Sequence, residues 1–448
     1  MIETLKENNV YVSEFVSSRA SRRGQPAWLQ ELRQAAVHRF AELGFPTVRD
    51  EAWRFTNVAP IARLRFKLAS EGLNGWSASA LERLDFVSLD CPRMVFVNGF
   101  FSPELSSLEE IPAGVTVVPL TSAIETQPDS IRPHLGHYAH YRNHAFAALN
   151  TAFTRDGAYV QVSPGRVVEQ PIHLLFLSTG DREAWRMHPR TLIVVGANSQ
   201  LSVVESYIGA GENLYLSNPV SEVVVGDNAV VDHYRLQNES KRAFHIGLHQ
   251  VSQGRDSRYV THAIDVGAAV ARNDLTCVLN GEGGLAGLNG LYLLNQNQHL
   301  DNYTTLEHAK PHCDSRELFK GILDDRARGV FRGRIIVREG AQKTDSKQTN
   351  DNLLLSDSAL VNTKPQLEIY ADDVKCTHGA TIGQLDETAL FYLRSRGIPE
   401  TAARSLLVYA FASEVIDHIR LDPLRRQLLR FLAGWLPNGA LLKEVLEA

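Results

Sequence analysis

Short runs of β-branched and aromatic residues fill the chain from about residue 158 to residue 382, separated by Gly, Asn, Asp or Pro. Branched side chains suit a pleated surface and the separating residues suit tight turns, so these runs are typical of strands joined by turns. The clearest runs are residues 159–162, 172–176, 192–195, 201–204 and 223–225. The pattern predicts a middle region that is largely β.

Two segments of this region recur at a nearly constant interval. The sequence VVGAN at residues 194–198 returns as VVGDN at residues 224–228, thirty residues later. LDDRA at residues 323–327 is matched more loosely by LSDSA at residues 355–359. A steady period in strand-rich sequence is typical of a solenoid, in which each coil stacks only on its neighbours. The pattern favours a parallel β-helix, and a β-sandwich is the alternative.

Helical patterns flank the strand-rich region. Residues 26–44 begin with a proline, end with a glycine and place apolar side chains on one helical face. Amphipathic patterns return near the end of the chain, where Pro399 and Pro423 mark two helix starts. We therefore expect a mixed, mostly helical region over residues 1–150. A β-helix core should follow over residues 151–383, and a C-terminal helical domain over residues 384–448.

Composition excludes several classes of function. A chain of 448 residues is long enough for two or three cores. Its net charge of −5 provides no basic face for nucleic acid. The four cysteines form no C-x-x-C pair, so we expect reduced thiols. With no signal-like start and no apolar run long enough to span a bilayer, the sequence predicts a cytoplasmic protein that does not bind membranes.

The strongest candidate site is the pair Cys376 and His378, near the junction of the strand-rich and helical regions. Residues two apart on a strand point to the same face. A thiolate and an imidazole together suit zinc, copper or iron–sulfur species, but two ligands do not complete a site. Further ligands must come from elsewhere in the fold or from another chain. The alternative is a buried cysteine beside a hydrogen-bonded histidine.

A weaker metal candidate combines His299, His308, His312 and Cys313. Pro311 argues against a helix there, so these residues could meet only across neighbouring coils of a solenoid. This reading corresponds to a free-standing His/Cys metalloprotein. The alternative is a set of polar turn residues hydrogen-bonded along the stack.

A third candidate is acidic and consists of Asp324, Asp325, Asp372 and Asp373. Paired carboxylates on a β-helix could perform the acid–base chemistry of an enzyme acting on polysaccharide. The alternative is solvated turn residues paired with nearby cations. The sequence contains no G-x-x-x-x-G-K-[ST] phosphate loop, so we do not expect the chain to hydrolyse ATP itself.

Several motifs resemble one known family. DVKCTHGAT at residues 373–381, followed by FYLRSRGI at residues 391–398, closely resembles the C-terminal signature of the SufB/SufD family of iron–sulfur cluster assembly proteins. The resemblance extends through HCDS at 312–315, GRIIV at 333–337, LLLS at 353–356 and PQLEI at 365–369. EAWRFTN at residues 51–57 is similar to the family's N-terminal element. SufB-like chains carry an acidic His-Glu version in place of Cys-Thr-His-Gly.

The resemblance implies a mainly β protein, a right-handed parallel β-helix between helical N- and C-terminal regions. It also implies a scaffold role in a complex with SufB and two copies of the ABC-type ATPase SufC. The motif's histidine, here His378, would lie at the SufB contact and help a nascent cluster to assemble, and Cys376 matches the motif's thiol. The iron–sulfur cluster would be transient and confined to the complex, with no cofactor bound stably by the isolated chain.

The resemblance further implies that SufC binds the C-terminal helices. The residues expected at that contact are Leu385, Tyr392, Leu393, Arg394, Arg396, Leu407 and Phe411. The sequence leaves open whether an isolated chain forms a homodimer through an exposed β-helix edge, although such edges favour pairing.

Overall fold

The structure is a computed structural model that describes residues 2–18, 24–69, 76–180 and 184–437. The helices are α1 Ile2–Ser17, α2 Ala27–Leu43, α3 Ala59–Arg63, α4 Ala78–Leu81, α5 Leu120–Thr126, α6 Pro128–Ile131, α7 Ala145–Phe153, α8 Glu387–Ser395, α9 Glu400–Ile416 and α10 Asp422–Trp435. The first strands are β1 Lys67–Leu68, β2 Arg93–Val97, β3 Phe100–Phe101, β4 Val115–Pro119, β5 Ala158–Val162, β6 Ile172–Thr179, β7 Trp185–Met187, β8 Arg190–Val195, β9 Gln200–Ala210, β10 Tyr215–Ser217, β11 Val220–Val225 and β12 Val230–Asn238. The later strands are β13 Phe244–Gln253, β14 Arg258–Asp265, β15 Val270–Leu279, β16 Leu285–Leu294, β17 His299–His308, β18 Asp314–Leu323, β19 Arg328–Val337, β20 Asp345–Leu354, β21 Leu360–Thr363, β22 Gln366–Ile369 and β23 Lys375–Gly383.

Most strands from β5 onward alternate between two parallel sheets. Sheet A runs in the order β4-β5-β8-β11-β13-β15-β17-β19-β21, with β1, β7, β10 and β22 attached to this path. Sheet B runs in the order β3-β2-β6-β9-β12-β14-β16-β18-β20-β23. Each strand therefore pairs with the strand one coil away, in parallel, which confirms the predicted β-helix. A β-sandwich would instead pair consecutive strands antiparallel.

The sequence repeat corresponds to one coil of the solenoid. Val194 and Val224 are register partners on β8 and β11. The two turns that follow place Asn198 and Asn228 at φ +58° and +55°, a left-handed conformation that Asn tolerates better than most residues. The side-chain amide of Asn228 donates to the Oδ1 of Asn198 at 2.8 Å. The thirty-residue period therefore reports stacked turns as well as stacked strands.

The N-terminal region packs against the solenoid and also contributes strands to it. Helix α2 has the predicted limits, with Pro26 before it and Gly44 after it, and it packs on α7. Sheet B begins with β2 and β3, and sheet A with β4, which precede the region where strands were expected. The first pairings, β2 with β3 and β4 with β5, are antiparallel, unlike the coils that follow.

The N-terminal motif at residues 51–57 fastens this region to sheet A. The indole of Trp53 covers the guanidinium of Arg272 on β15. The carboxylate of Glu51 pairs with Arg332 on β19 at 2.9 Å. These contacts explain physically why an aromatic residue and an acid recur in such a motif, because both bind cations presented by the sheet.

The C-terminal helices α9 and α10 lie on the outer face of sheet B. Helix α9 contacts β16 and β18. Val408, Ala412 and Val415 of α9 share one apolar cluster with Ile322 of β18 and Leu353 of β20. The apolar face of α9 is therefore buried against the solenoid. Among the described residues, no helix combines the length and apolar character that a membrane span needs.

Candidate functional site

Strand β23 ends sheet B and is unlike the strands before it. It pairs with β20 on one side, and no strand in the described part of the chain pairs with its other edge. Cys376 is half-buried and the other eight residues of the strand are exposed. The strand therefore presents a row of free backbone N–H and C=O groups at the end of the solenoid.

Cys376 and His378, named the site pair below, lie on the same face of β23. Their register partners on β20 are Ser346 and Gln348, which are at most 1 % exposed and face the interior of the solenoid. In sheet B, register partners on successive strands form columns of side chains that face the interior. The site pair lies over two such columns at the open end of the solenoid. Cys376 packs against the apolar core and His378 is exposed to solvent, so the thiol is sheltered while the imidazole is accessible.

A column of hydroxyl groups lies beneath Cys376. The Oγ of Ser346 lies 2.7 Å from the Oγ of Ser315, which in turn lies 2.9 Å from the Nε2 of His308. Burial raises the pKa of the Cys376 thiol, and the backbone N–H of Ser346 acts in the opposite direction. Burial lowers the pKa of His308 to about 4, so this imidazole is neutral at pH 7.

An amide and a carboxyl group lie beneath His378. The Nε2 of Gln348 donates to the Oε2 of Glu317 at 2.6 Å, and both side chains are buried. Burial raises the pKa of Glu317 to about 7, although polar contacts with Thr304 and Gln348 act in the opposite direction. Glu317 is therefore an acid that exchanges its proton near neutral pH inside the solenoid.

Sequence reasoning missed these supporting residues, although the repeat period could have found them. One coil before the site pair, the same columns hold Ser346 and Gln348. Two coils before it, they hold Ser315 and Glu317. In a solenoid, residues one period apart become neighbours across adjacent strands, so subtracting thirty from positions 376 and 378 gives Ser346 and Gln348. The coil below is one residue longer, so Ser315 and Glu317 lie thirty-one residues further back.

The weaker metal candidates on β17 lie far apart. His299 is the first residue of this ten-residue strand and its Nε2 lies 3.0 Å from the Oγ1 of Thr56. His308 is the last residue and is bonded to Ser315. An extended strand rises about 3.3 Å per residue, so roughly 30 Å separates the two imidazoles. Each histidine has a hydrogen-bonding role of its own.

The other two weaker candidates follow in the turn after β17. His312 is exposed at φ +58°, with Glu282 3.8 Å away. Cys313 is buried, and its Sγ lies 3.3 Å from the carbonyl oxygen of Gly281. Within the described ranges, no three His, Cys, Asp or Glu side chains are placed to hold a metal ion. The four weaker candidates therefore do not form a common centre.

The acidic candidate is also divided. Asp324 and Asp325 follow β18, whereas Asp372 and Asp373 precede β23. Both strands are parallel members of sheet B, so the two pairs lie at opposite ends of the sheet. A glycosidase needs its two carboxyl groups within about 10 Å of each other across the scissile bond. These four carboxyl groups therefore do not meet at one site.

The exposed surface of α8 differs from the sequence expectation. Leu390 is the buried residue of the helix, whereas Phe391 and Tyr392 are 72 % and 58 % exposed. The guanidinium of Arg396 lies 5.2 Å from the centre of the Tyr392 ring, and Arg394 is exposed beside it. Phe391, Tyr392, Arg394 and Arg396 are named the α8 patch below. The contact residues expected from the sequence include Tyr392, Arg394 and Arg396 of this patch but not Phe391.

The remaining docking candidates are half-buried. Leu385 lies just before α8, and it packs with Phe411 of α9 against the apolar cluster on sheet B. The Nζ of Lys320 lies 4.3 Å from the centre of the Phe411 ring. Leu393 and Leu407 are also half-buried. These four residues belong mainly to the packing of the helices, which leaves the α8 patch as the more accessible surface.

Comparison with known proteins agrees with this architecture. The family model for the SufBD core domain of the SUF iron–sulfur cluster assembly system matches residues 176–411, and the model for the SufBD N-terminal region matches residues 6–174. A SufBD family protein of Synechocystis is 37% identical over 88% of each chain. The iron–sulfur cluster assembly protein SufD of Escherichia coli is 32% identical, over 91% of this chain and 93% of the relative. SufD of Bacillus subtilis is 27% identical over 93% and 96%. This chain therefore belongs to the SufBD family of the SUF iron–sulfur cluster assembly system.

Proposed function

We propose that this protein is a scaffold subunit that joins SufB through the open end of its solenoid and presents His378 to a nascent iron–sulfur cluster. The observation that carries the proposal is the position of the site pair on β23. A sheltered thiol and an exposed imidazole share one face of a strand whose outer edge has no partner in the described part of the chain. A partner strand added to this edge would approach both groups.

The chemistry of the site pair requires a second chain. Iron–sulfur species are usually held by four protein ligands, most often thiolates and sometimes imidazoles. The site pair offers two groups, of which His378 is the more accessible. SufB would supply the missing ligands, and the isolated chain is expected to hold no stable cluster. Variants of Cys376 test whether its thiol binds iron or only packs beneath the site.

Pairing at the β23 edge follows from backbone chemistry. Unpaired N–H and C=O groups on an exposed edge strand are readily satisfied by a strand from another chain. SufB is the partner we propose for this edge in the complex. A second copy of this chain is the occupant we expect when SufB is absent, which would give a homodimer.

The α8 patch is the proposed contact for SufC. The sequence has no phosphate loop, so ATP hydrolysis would take place in this partner and the chain itself would not be an enzyme. Exposed aromatic and arginine side chains are the residue types most often found at the centre of interfaces. The close packing of α9 and α10 on sheet B would transmit movement of SufC to the end of the solenoid that carries β23.

Co-expression with SufB and SufC tests the proposal. His378→Ala should still co-elute with both partners on size-exclusion chromatography, because the side chain is exposed and supports no packing. The anaerobic absorption of the complex should show a lower cluster yield. Thr377→Ala is the matched control, because this exposed residue neighbours His378 on the opposite face of β23. An unchanged yield with His378→Ala would mean that the imidazole has no part in assembly.

A further inference from the structure

We propose that Gln348 positions His378 by accepting a hydrogen bond from one ring N–H, which leaves the other ring nitrogen free for iron. Glu317 holds Gln348 in the orientation that this hydrogen bond requires. This inference rests on the proposed function of His378 as a group that meets the nascent cluster. It concerns a different question, namely which tautomer the imidazole adopts and what holds it there. The argument uses strand register, one hydrogen bond and one buried atom that lacks a partner.

Strand register places Gln348 directly beneath His378. The two residues are partners in the parallel pairing of β20 with β23. Neighbouring strands lie about 4.8 Å apart, and register partners project to the same face. Gln348 is fully buried, whereas His378 lies at the open end of the same column. The carboxamide is therefore the interior group next to the imidazole.

The hydrogen bond to Glu317 decides which end of the Gln348 amide remains available. The Nε2 of Gln348 donates to the Oε2 of Glu317 at 2.6 Å. At pH 8, above the Glu317 pKa of about 7, the ionised carboxylate only accepts hydrogen bonds, so it selects the amide nitrogen and turns the amide oxygen away. The Oε1 of Gln348 is buried and has no hydrogen-bond partner among the described residues. Such an atom is a strong acceptor that needs a donor.

The backbone leaves room for this arrangement. Gly333 on the neighbouring strand β19 of sheet A lies so close that a Cβ there would be 2.2 Å from the Nε2 of Gln348. A side chain at position 333 would displace the amide. The interior therefore leaves space for the whole Gln348 carboxamide, whose Nε2 and Oε1 would lie 2.2 and 2.9 Å from that Cβ.

An imidazole N–H is the donor that lies nearest in register. When one ring nitrogen of His378 donates to the Oε1 of Gln348, the other carries the lone pair that binds a metal ion. Histidines that bind metals usually donate their second N–H to a carboxylate, a carbonyl or water, which sets the tautomer and the ring orientation. Gln348 would be the carbonyl in this scheme, and Glu317 would orient Gln348.

The tautomer can be measured on the isolated chain without SufB or iron. The ring ¹⁵N chemical shifts of histidine-labelled protein distinguish the two neutral tautomers, and His378→Ala identifies the signals of this residue. Near pH 8, we expect the ratio of the two tautomers of wild-type His378 to differ about fivefold from the ratio in a solvated imidazole. One added hydrogen bond predicts a change of this size. A tautomer ratio equal to that of free histidine would overturn the proposal.

Gln348→Leu removes the acceptor, and Asn350→Leu is the matched control. Asn350 is a buried amide on the same strand and the same face, one column away, under Ala380. We expect Gln348→Leu to bring the His378 ratio to that of a solvated imidazole and Asn350→Leu to leave it unchanged. In the complex with SufB and SufC, Gln348→Leu should lower the cluster yield several-fold. An altered tautomer with a normal yield would overturn the positioning role, whereas failure of His378→Ala to affect yield would overturn the proposed function instead.

Discussion

The guanidinium carbon of Arg272 lies 3.9 Å from the centre of the Trp53 indole, and this contact joins the N-terminal region to sheet A. Arg272 is 1 % exposed. It forms ion pairs with Asp274 at 2.7 Å and Asp301 at 2.6 Å, and it donates to the backbone carbonyl of Ala52 at 2.7 Å. The cation therefore neutralises two buried carboxylates while an aromatic ring covers it.

Replacing Arg272 with Met should strongly destabilise the protein. Asp301 would remain buried without its cation, and Asp274 would keep only its contact with His144. An uncompensated buried carboxylate typically costs about 3–5 kcal/mol of unfolding free energy. Chemical denaturation followed by tryptophan fluorescence measures this loss. Arg255→Met is the control, because Arg255 pairs with Asp256 at an exposed turn and should change the unfolding free energy by less than about 0.5 kcal/mol. Equal losses in the two variants would contradict the role of the buried network.

The turn at Asn228 provides a test of the stacked repeat. Asn228→Ala should lower the free energy of unfolding by about 1–2 kcal/mol, because alanine resists a positive φ and lacks the amide that bonds Asn198. Asn228→Gly should cost less, since glycine accepts this backbone conformation. Thermal and denaturant unfolding of the two variants gives the comparison. A glycine variant less stable than the alanine variant would contradict the backbone contribution, because both variants lack the amide that bonds Asn198.

Glu317 should make stability depend on pH between about 4.5 and 7. Its folded pKa is raised to about 7, so the folded state binds its proton more tightly than the unfolded chain does. This contribution is complete below the unfolded pKa and is lost as the pH rises through 7. Glu317→Gln mimics the protonated form, so at pH 8 it should be more stable than the wild type by about 3 kcal/mol, the equivalent of the pKa shift. The gain should disappear near pH 4.5.

Unfolding free energies of both proteins across this pH range provide the measurement. Asp351→Asn is a suitable control, because Asp351 lies on β20 and its side chain accepts from the exposed Thr381 rather than from a buried group. A constant difference between Glu317→Gln and the wild type from pH 4.5 to pH 8 would exclude a raised pKa for Glu317.

The α8 patch can be separated from the packing of the helices. The double substitution of Phe391 and Tyr392 to Ala should weaken SufC binding by at least about tenfold, because exposed aromatic side chains often contribute more than 1 kcal/mol each at an interface centre. The melting temperature should stay nearly constant, since neither side chain is buried. Val167→Ala removes another largely exposed apolar side chain from a turn before β6 and should leave SufC affinity unchanged.

Calorimetric titration of SufC with the purified variants measures these affinities. Unaltered binding by the double variant would place the ATPase contact elsewhere on the chain. A loss of binding accompanied by a lower melting temperature would instead indicate that the helix packs differently without its two rings.

Local patterns predicted most of the elements of this fold. The runs at residues 159–162, 172–176 and 192–195 became β5, β6 and β8, since branched residues between turn formers leave the backbone few alternatives. The repeat at Asn198 and Asn228 predicted the stacking for the same reason, because equal coils place equal turns above one another. The residues expected to bind a partner omitted Phe391, because neighbouring residues of α8 carry similar apolar side chains. On α8, Leu390 is buried and Phe391 is exposed, and only the packing on the solenoid distinguishes them.

The sequence by itself favoured the solenoid over a β-sandwich and indicated its repeat, the position of Cys376 and His378 on one strand face, and the family. These properties follow from neighbours in the chain and from spacing. Only the tertiary structure decided that β23 ends sheet B with one edge unpaired among the described residues, that His299 and His308 lie at opposite ends of β17, and that Glu317 lies two coils beneath His378. The burial and the electrostatic surroundings of a residue depend on which residues, distant in the sequence, the fold brings close to it. For that reason, the raised pKa of Glu317 and the free oxygen of Gln348 emerge only when the coils are stacked.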